Sequence, residues 1–223
     1  MSKLHLITFV DDKYLGRERT TNQQCSRYFD VVKNYHPLDL PIDFIVENID
    51  VYSRPRGFGY WVWKPWIMLD YFNNHITDTD DIVMYVDAGD TFDQRVIDSM
   101  INHLETNPVY AIHGPHLNKA WTKRDCFILM DCDEEKYWNT EFQIYTSMIA
   151  CRKSDFTIGL LEEWQKYCKD KNVVTDEPNI CGKENFPEFI DHRHDQSIFH
   201  NLMIKNDLKT VNMVTPHFWI PES

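Results

Sequence analysis

The sequence predicts one α/β domain built on a mostly parallel central sheet with helices on its flanks. Three observations carry that expectation. Apolar, β-branched runs alternate with stretches of helical period through the first half, the order that a parallel sheet with crossover helices requires. One run, Ile82-Val-Met-Tyr-Val86, is apolar at every position and reads as a strand buried on both faces. The 223 residues suffice for one sizeable core, and no repeat or low-complexity linker divides them.

Taken in order, Leu4 to Val10 reads as a buried strand that ends at Asp11-Asp12. Thr20 to Tyr35 carries Cys25, Tyr28, Phe29 and Val32 at helical spacing and stops before Pro37. Ile42 to Val46 reads as a second short strand, and Ser53 to Gly59 as a Gly/Pro-rich loop. An apolar helix is expected over Trp61 to Phe72. The acidic turn Thr77 to Asp81 launches the Ile82–Val86 strand, which finishes at Asp87-Ala-Gly-Asp90. Asp93 to Glu105 places Val96, Ile97, Met100, Ile101 and Leu104 on one helical face. Val109 to Ile112 and Tyr145 to Cys151 read as strands, with an irregular stretch between them rich in Trp, Lys and Asp. A helix capped by Ser154 runs to Cys168, a loop covers Asp176 to Pro187, and a last helix is expected over His194 to Ile204. The irregular second half reads as insertions into one domain, not as a domain of its own.

Composition narrows the function classes. The net charge is −12, which argues against a broad nucleic-acid surface. Any anionic ligand entering such a protein needs a local cation. Seven Trp and 14% aromatic residues suit flat-ligand or sugar binding, and suit core filling equally. The six cysteines show no CxxC spacing and no zinc-like cluster, so free thiols in a reducing compartment are expected. Met1 to Leu6 runs straight into a strand pattern with no long apolar stretch, so neither a signal peptide nor a membrane anchor is expected. The chain is therefore expected to be soluble and cytoplasmic, without membrane insertion.

Four constellations can carry chemistry. A buried strand ending in Asp87 and Asp90 sets two carboxylates at the carboxyl edge of the sheet, where open α/β folds bind ligands. They suit Mg2+ or Mn2+, and the small Ala88 and Gly89 let a ligand approach the backbone. An ordinary strand running into an Asp/Gly turn has the same pattern. In the segment Arg54 to Trp66, a glycine-containing loop with Gly57 and Gly59 at a helix start offers N–H groups to phosphate, with Arg56 and Lys64 as cations. Trp61, Trp63 and Trp66 could equally be core. Asp191-His-Arg-His-Asp195-Gln196-Ser197 is poor core material at a helix start; it marks Asp195 and Gln196, with N-capping as the plain alternative. His217, in Thr215-Pro-His-Phe-Trp219, becomes a metal-ligand candidate if the tail folds back over the carboxylates.

Together these pieces resemble the GT-A nucleotide-sugar glycosyltransferases, a Rossmann-like α/β fold, from the Leu4–Val10 strand to His217. Asp87-Ala-Gly-Asp90 looks like a variant of their DxD metal motif, departing from it in that Gly89 holds the third position. Asp195-Gln196-Ser-Ile-Phe-His-Asn201 is similar to the DQD helix start of the retaining glycogenin-like and galactosyltransferase-like families. His217 is placed like their C-terminal metal-binding His, but the glycine and Lys-Pro-Trp that normally follow are absent. Gly57-Phe-Gly-Tyr-Trp61-Val-Trp-Lys64-Pro65 is similar to small transferases of bacterial capsule loci and large DNA viruses, above all those encoded by chlorella viruses.

The resemblance implies a nucleotide-sugar-binding half over about residues 1–110 and an acceptor-binding half over about 111–223. It implies a UDP-sugar donor, with Mn2+ or Mg2+ as cofactor on Asp87, Asp90 and His217. The base would lie near Thr8, Phe9 and Val10, and the diphosphate near Arg56, Gly59, Lys64, Asp87, Ala88 and Gly89. Asp195 and Gln196 would be catalytic. Lys123, Arg124, Asp125 and Trp138 would face an acceptor hydroxyl on a glycan or glycoprotein-linked oligosaccharide. Similarity favours retention, in which the leaving phosphate takes the acceptor proton; in an inverting reaction Asp195 would be the base. The cytoplasm would be the host's if the chain is viral. Two rivals remain. A sugar-phosphate nucleotidyltransferase would carry a basic, Gly-rich signature where Asp11 to Gly16 stands, and a non-catalytic carbohydrate-binding module would not need the carboxylates at the strand end.

Overall fold

The computed structural model describes residues 2–212. Six strands form one sheet in the order β2-β1-β3-β5-β4-β6. They are β1 (Leu4–Phe9), β2 (Val31–Tyr35), β3 (Ile82–Val86), β4 (Val109–Gly114), β5 (Gln143–Arg152) and β6 (Val211–Asn212). The pairs β1–β2, β1–β3 and β4–β6 are parallel, whereas β5 is antiparallel to both its neighbours, so a single strand opposes the rest. The expected mostly parallel sheet is present, with one reversal in its middle.

Two apolar layers sandwich the sheet. One holds Ile7, Phe9, Tyr85 and Ile149 against the helices Trp63–Asn74, Asp155–Cys168 and Asp195–Lys205. The other packs Leu6, Met84, Val86 and Ala150 against the helix Gln94–His103. The β3 residues alternate between these layers and are all buried, as an all-apolar strand requires. Ser154 caps its helix as expected, accepting from the Thr157 N–H, and Asp93 caps Gln94–His103 through the Arg95 N–H. Among the described residues no helix is long and apolar enough to cross a membrane.

Two expected elements differ. The helix expected over Thr20 to Tyr35 is confined to Arg17–Cys25, and its last residues form β2 beside β1. Val31-Val32 is β-branched and strand-prone, and pairing with a buried edge outweighs the weak helical spacing. The strand expected over Ile42 to Val46 is instead the helix Ile42–Glu47. Pro41 precedes it and Asp43 lies in its first turn, both start signals for a helix; only Phe44 is buried, so no sheet face claims the segment.

The entry to the Trp63–Asn74 helix is the least ordinary piece of backbone. Five successive residues, Gly57 to Trp61, have φ between 51° and 83°, a full left-handed turn. Three of them, Phe58, Tyr60 and Trp61, carry side chains that disfavour this region by about 1–2 kcal/mol each. Packing compensates. Phe58 lies edge-on to Tyr52 at 5.0 Å, and Phe9 stacks on Trp63 at 3.9 Å between centroids. The chain then reverses hand, and the right-handed helix starts with Pro65 in its first turn, where a missing N–H costs nothing.

Gly59 has φ +83°, and a Cβ built there would lie 2.7 Å from the Tyr52 Cα. Gly59→Ala is expected to lower stability by about 3 kcal/mol, from left-handed strain plus a backbone clash. Gly159, with open space around it inside Asp155–Cys168, should gain about 0.5–1 kcal/mol on the same change. Urea midpoints of the two variants check the pair. Equal midpoints would mean that the left-handed turn is not under strain.

Candidate functional site

Three elements converge at the carboxyl edge of β3. Asp87 and Asp90 follow that strand directly. Because β5 runs the other way, its amino-terminal residues Thr146 and Ser147 reach the same edge, where the Asp87 N–H donates to the Ser147 carbonyl at 2.8 Å. The helix Asp195–Lys205 arrives with Asp195 and Gln196 in its first turn. The β4–β5 ladder slips here: register moves two residues along β4, from Ala111 to His113, but five along β5, from Ile149 to Ile144. Such an irregularity re-aims side chains, and this one presents Thr146 to the lysine below.

Lys64 lies at the centre, 1% exposed. Its Nζ is 3.2 Å from Asp87 Oδ1, 3.3 Å from Asp195 Oδ2 and 3.1 Å from the Thr146 carbonyl oxygen. With the Thr146 hydroxyl oxygen at 3.5 Å, these acceptors fully occupy the three N–H bonds of an ammonium. Burial works to lower the Lys64 pKa, but the two carboxylates outweigh it and raise it, so the side chain stays charged. Asp195 is pushed up by burial, with Lys64 and the Thr146 hydroxyl, which donates at 2.8 Å, pulling back. One ammonium can fully compensate only one of two carboxylates. The Tyr85 hydroxyl donates to Asp87 Oδ1, and the Lys64 ammonium lies 4.9 Å from the Tyr85 ring centroid.

Asp90 completes the group. Burial, then the charge of Asp87, pushes its carboxyl up to about 7, and its Oδ2 is buried without a hydrogen-bond partner. Thr21 fastens this turn, donating to the Asp90 carbonyl and accepting from the Gly89 N–H, both at 2.9 Å. Gly89 has φ +101°, which favours glycine. Among the described residues no group of three or more His, Cys, Asp or Glu could hold a metal. Two carboxylates, one with an unpaired buried oxygen, nevertheless suit Mg2+ or Mn2+, which take the rest of their shell from water and phosphate.

The remaining sequence candidates are placed as follows. Thr8 is fully buried at the end of β1 with Oγ1 unpartnered, Phe9 stacks on Trp63, and the Val10 N–H donates to the Tyr35 carbonyl. Ala88 is half-buried in the carboxylate turn, and Gly59 lies in the left-handed turn. Arg56 is engaged elsewhere: its fork holds Asp191 at 2.6 and 3.3 Å and reaches Asp176 at 3.0 Å. Burial opposes the Asp191 carboxylate, but Arg56 wins and holds its pKa below the ordinary value. The Gln196 amide donates to Gln143 Oε1 at 2.8 Å, joining a buried network of Gln143, Asn118, Thr122 and Asn201. Lys123, Arg124 and Asp125 form a separate knot. Lys123 Nζ donates to the Glu177 carbonyl, Arg124 pairs with Asp133 at 2.8 Å, and Asp125 accepts from the Ile180 and Cys181 N–H groups. Trp138 packs on Phe186 at 5.0 Å. His217 lies outside the described residues.

Sequence reasoning missed Tyr85, Thr146 and His194. Thr146-Ser147 interrupts an otherwise apolar strand, a signal that could have marked the edge. His194 immediately precedes Asp195 at φ 53° and ψ −118°; its Nδ1–H donates to the Val174 carbonyl at 2.6 Å, and its ring lies against Tyr60 and Trp61. Burial pushes His194 down to about 4, so it is a neutral imidazole at neutral pH.

No family model matches the chain, and no curated protein matches it in sequence. Solved structures do match in fold. Mouse xyloside xylosyltransferase 1 aligns with a TM-score of 0.51 at 13% identity, over 94% of this chain and 84% of that one. The bifunctional glycosyltransferase WbbM aligns at 0.50 and 10% identity, over 95% of this chain and 39% of that one. A glycosyltransferase involved in glycosylation of the major capsid of PBCV-1 aligns at 0.47 and 11% identity, over 94% and 81%. The chain shares the α/β fold of the first two, as the resemblance led us to expect.

Lys64→Met is expected to destabilise the fold by about 3–5 kcal/mol at pH 7.5, because the buried Asp195 carboxylate and the partly exposed Asp87 carboxylate lose their shared cation. The sign with pH follows from Asp195. Its raised pKa would rise further, so the folded state holds a proton that the unfolded state releases, and stability falls as pH rises above the ordinary carboxylate range. The deficit should therefore shrink towards pH 5, and Lys64→Met/Asp195→Asn should recover much of it. Thermal melts over pH 5–8 check this; a deficit that does not vary with pH would refute the charge account.

Proposed function

We propose that the chain is a metal-dependent glycosyltransferase that moves a sugar from a nucleotide-diphosphate donor, a UDP-sugar by preference, to a hydroxyl of a glycan acceptor. The observation that carries the reading is the buried Lys64 between Asp87 and Asp195, beside Asp90 with its unpaired oxygen, at the carboxyl edge of a mostly parallel sheet. Its charges count three carboxylates against one ammonium. The deficit calls for a divalent cation, and an anionic donor approaching a protein of net charge −12 calls for the same thing. The fold shared with solved sugar transferases supports the reading independently.

Asp87 and Asp90 would hold Mn2+ or Mg2+, which when bound neutralises charge on the departing diphosphate. Lys64 fixes the carboxylates of Asp87 and Asp195 relative to one another. Asp195, nearly fully buried and occupied at Oδ2 by Lys64 and Thr146, is a poor proton acceptor from solvent but a well-held negative charge. It would face positive charge developing at the anomeric carbon. That arrangement supports retention over inversion, with the acceptor proton passing to the leaving phosphate oxygen on the same face. Gln196 is steadied through its amide by Gln143, which leaves its carbonyl oxygen to meet the sugar. All six cysteines are unpaired thiols, five of them buried, which supports a reducing compartment such as the cytoplasm.

Thermal-shift measurements with UDP-, GDP- and dTDP-sugars should reveal one donor that stabilises the protein only with Mn2+ or Mg2+. Asp87→Asn should abolish both the shift and release of the nucleoside diphosphate while far-UV circular dichroism stays unchanged. Metal affinity should weaken as pH falls through about 7, since Asp90 must lose its proton to bind, and Asp90→Asn should flatten that dependence. Donor turnover in EDTA equal to that in Mn2+ would remove the metal from the proposal. Failure to release a nucleoside diphosphate from any donor would remove the enzyme.

A further inference from the structure

The two cations that the sequence offered to a diphosphate are already spent. Lys64 is enclosed by Asp87, Asp195 and the Thr146 carbonyl, and Arg56 is forked onto Asp191 with Asp176 beside it. Freeing either would leave buried or half-buried carboxylates without their partners, at a cost a ligand must first repay. A donor carrying a diphosphate needs some other side chain to answer the charge that a metal leaves uncompensated.

The structure supplies one on the donor side. Arg17 opens the helix Arg17–Cys25, and four residues on Thr21 is bonded to both the Gly89 N–H and the Asp90 carbonyl. Residues four apart share a helix face, so the face that is pinned to the carboxylate turn is also the one that carries Arg17. Its stem lies across Gly89: a Cβ built on that glycine would be 3.5 Å from Arg17 Cδ and 3.6 Å from Arg17 Cβ. The residue is exposed, and the arginine–carboxylate pairs among the described residues are those of Arg54, Arg56, Arg95 and Arg124. Two acids near it in sequence, Glu18 and Asp11, accept from the Gly16 and Tyr14 N–H groups. The guanidinium carbon is 4.8 Å from the centroid of Tyr14, a contact that orders the head without neutralising it.

We propose that Arg17 binds the diphosphate of the nucleotide donor, opposite the metal-binding side of the Asp87–Asp90 turn. The inference rests on the functional reading given above. A planar fork with five donors suits phosphate oxygens, and the Arg17 stem lies against Gly89 of the carboxylate turn. Arg17 is a binding residue here: it would hold the donor before transfer and the nucleoside diphosphate after it.

The test compares affinity for UDP, GDP and dTDP with that for the matching nucleosides, by calorimetry in Mn2+. Arg17→Gln should weaken the preferred nucleoside diphosphate about ten-fold or more, the scale of one charge-assisted bond. It should leave the nucleoside affinity and the melting temperature unchanged. Arg17→Lys, which keeps the charge and loses the fork, should recover part of the loss. Arg19→Gln, the same charge change two residues along the exposed part of the helix, sets the baseline for general electrostatics. If Arg17→Gln binds the diphosphate as wild type does, or falls no further than Arg19→Gln, the assignment is wrong while the functional reading stands. If it loses nucleoside and diphosphate equally, Arg17 acts on the shape of the site and the assignment is again wrong. Wild-type protein that binds no nucleoside diphosphate with any metal would overturn both.

Discussion

Everything at the sheet edge depends on one ammonium group buried between two carboxylates. Such an arrangement is a weak source of stability, because desolvating the ammonium and the Asp195 carboxylate costs several kcal/mol per ion before attraction returns any of it. Its value lies in geometry. Lys64 Nζ directs its three hydrogens to Asp87, Asp195 and the Thr146 oxygens, so none of these groups can shift singly without weakening a bond to the buried ammonium. A strand end, a helix start and the reversed strand β5 are thereby locked to a common point. Pre-organisation of this kind matters most where charge develops during a reaction, since the polar groups need not reorient.

The backbone shows what it takes to bring that ammonium there. The chain must reverse hand between Gly57 and Val62, and three non-glycine residues sit in the left-handed region to do so. Strain of this kind persists only where surroundings over-determine it. Here the surroundings belong to the same site. Tyr60 and Trp61, two of the strained residues, lie against His194, and Tyr60 also donates to Asp176, which Arg56 holds as well. His194 in turn has its own strained backbone and immediately precedes Asp195. The turn that presents Lys64 and the residue that presents Asp195 brace one another, and the Arg56–Asp191 fork closes the brace. Arg56, expected from sequence at the diphosphate, serves the frame in this structure.

What could be read beforehand divides along physical lines. The Ile82–Val86 strand and its terminal carboxylates were legible because an all-apolar run followed by Asp, Gly and Asp has few other solutions. Asp195 and Gln196 stood out for the opposite reason, too many polar groups where an apolar helix begins. β2 and the Ile42–Glu47 helix were not legible, since Val31–Tyr35 and Ile42–Val46 are short, and short apolar runs are decided by what lies beside them. Tyr85 was hidden by reading as one more core residue of its strand. The antiparallel sense of β5, on which the placing of Thr146 depends, has no local signature at all. The partners of Lys123 to Asp125 were equally hidden: Lys123 and Asp125 bond to backbone of the 176–187 loop and Arg124 pairs with Asp133, contacts that no local pattern announces.

The reversal of β5 also settles the electrostatic balance of the edge. A wholly parallel sheet would meet the ligand with strand carboxyl ends only. With β5 reversed, the Thr146 hydroxyl reaches the same edge, donating to Asp195, while the Thr146 carbonyl accepts from Lys64. The helix Asp195–Lys205 adds its amino-terminal dipole, about half a positive charge, behind Asp195. Against Lys64 and that dipole stand Asp87, Asp195 and, once deprotonated, Asp90. The sum stays negative by more than one unit. Partial charges and hydroxyls can soften such an excess but cannot cancel it in a poorly hydrated place, so the protein alone leaves Asp90 holding a proton near neutral pH. Under the proposed function that proton would give way to a divalent cation on Asp87 and Asp90, because an unpaired buried oxygen is better satisfied by a metal than by a proton it must share with solvent.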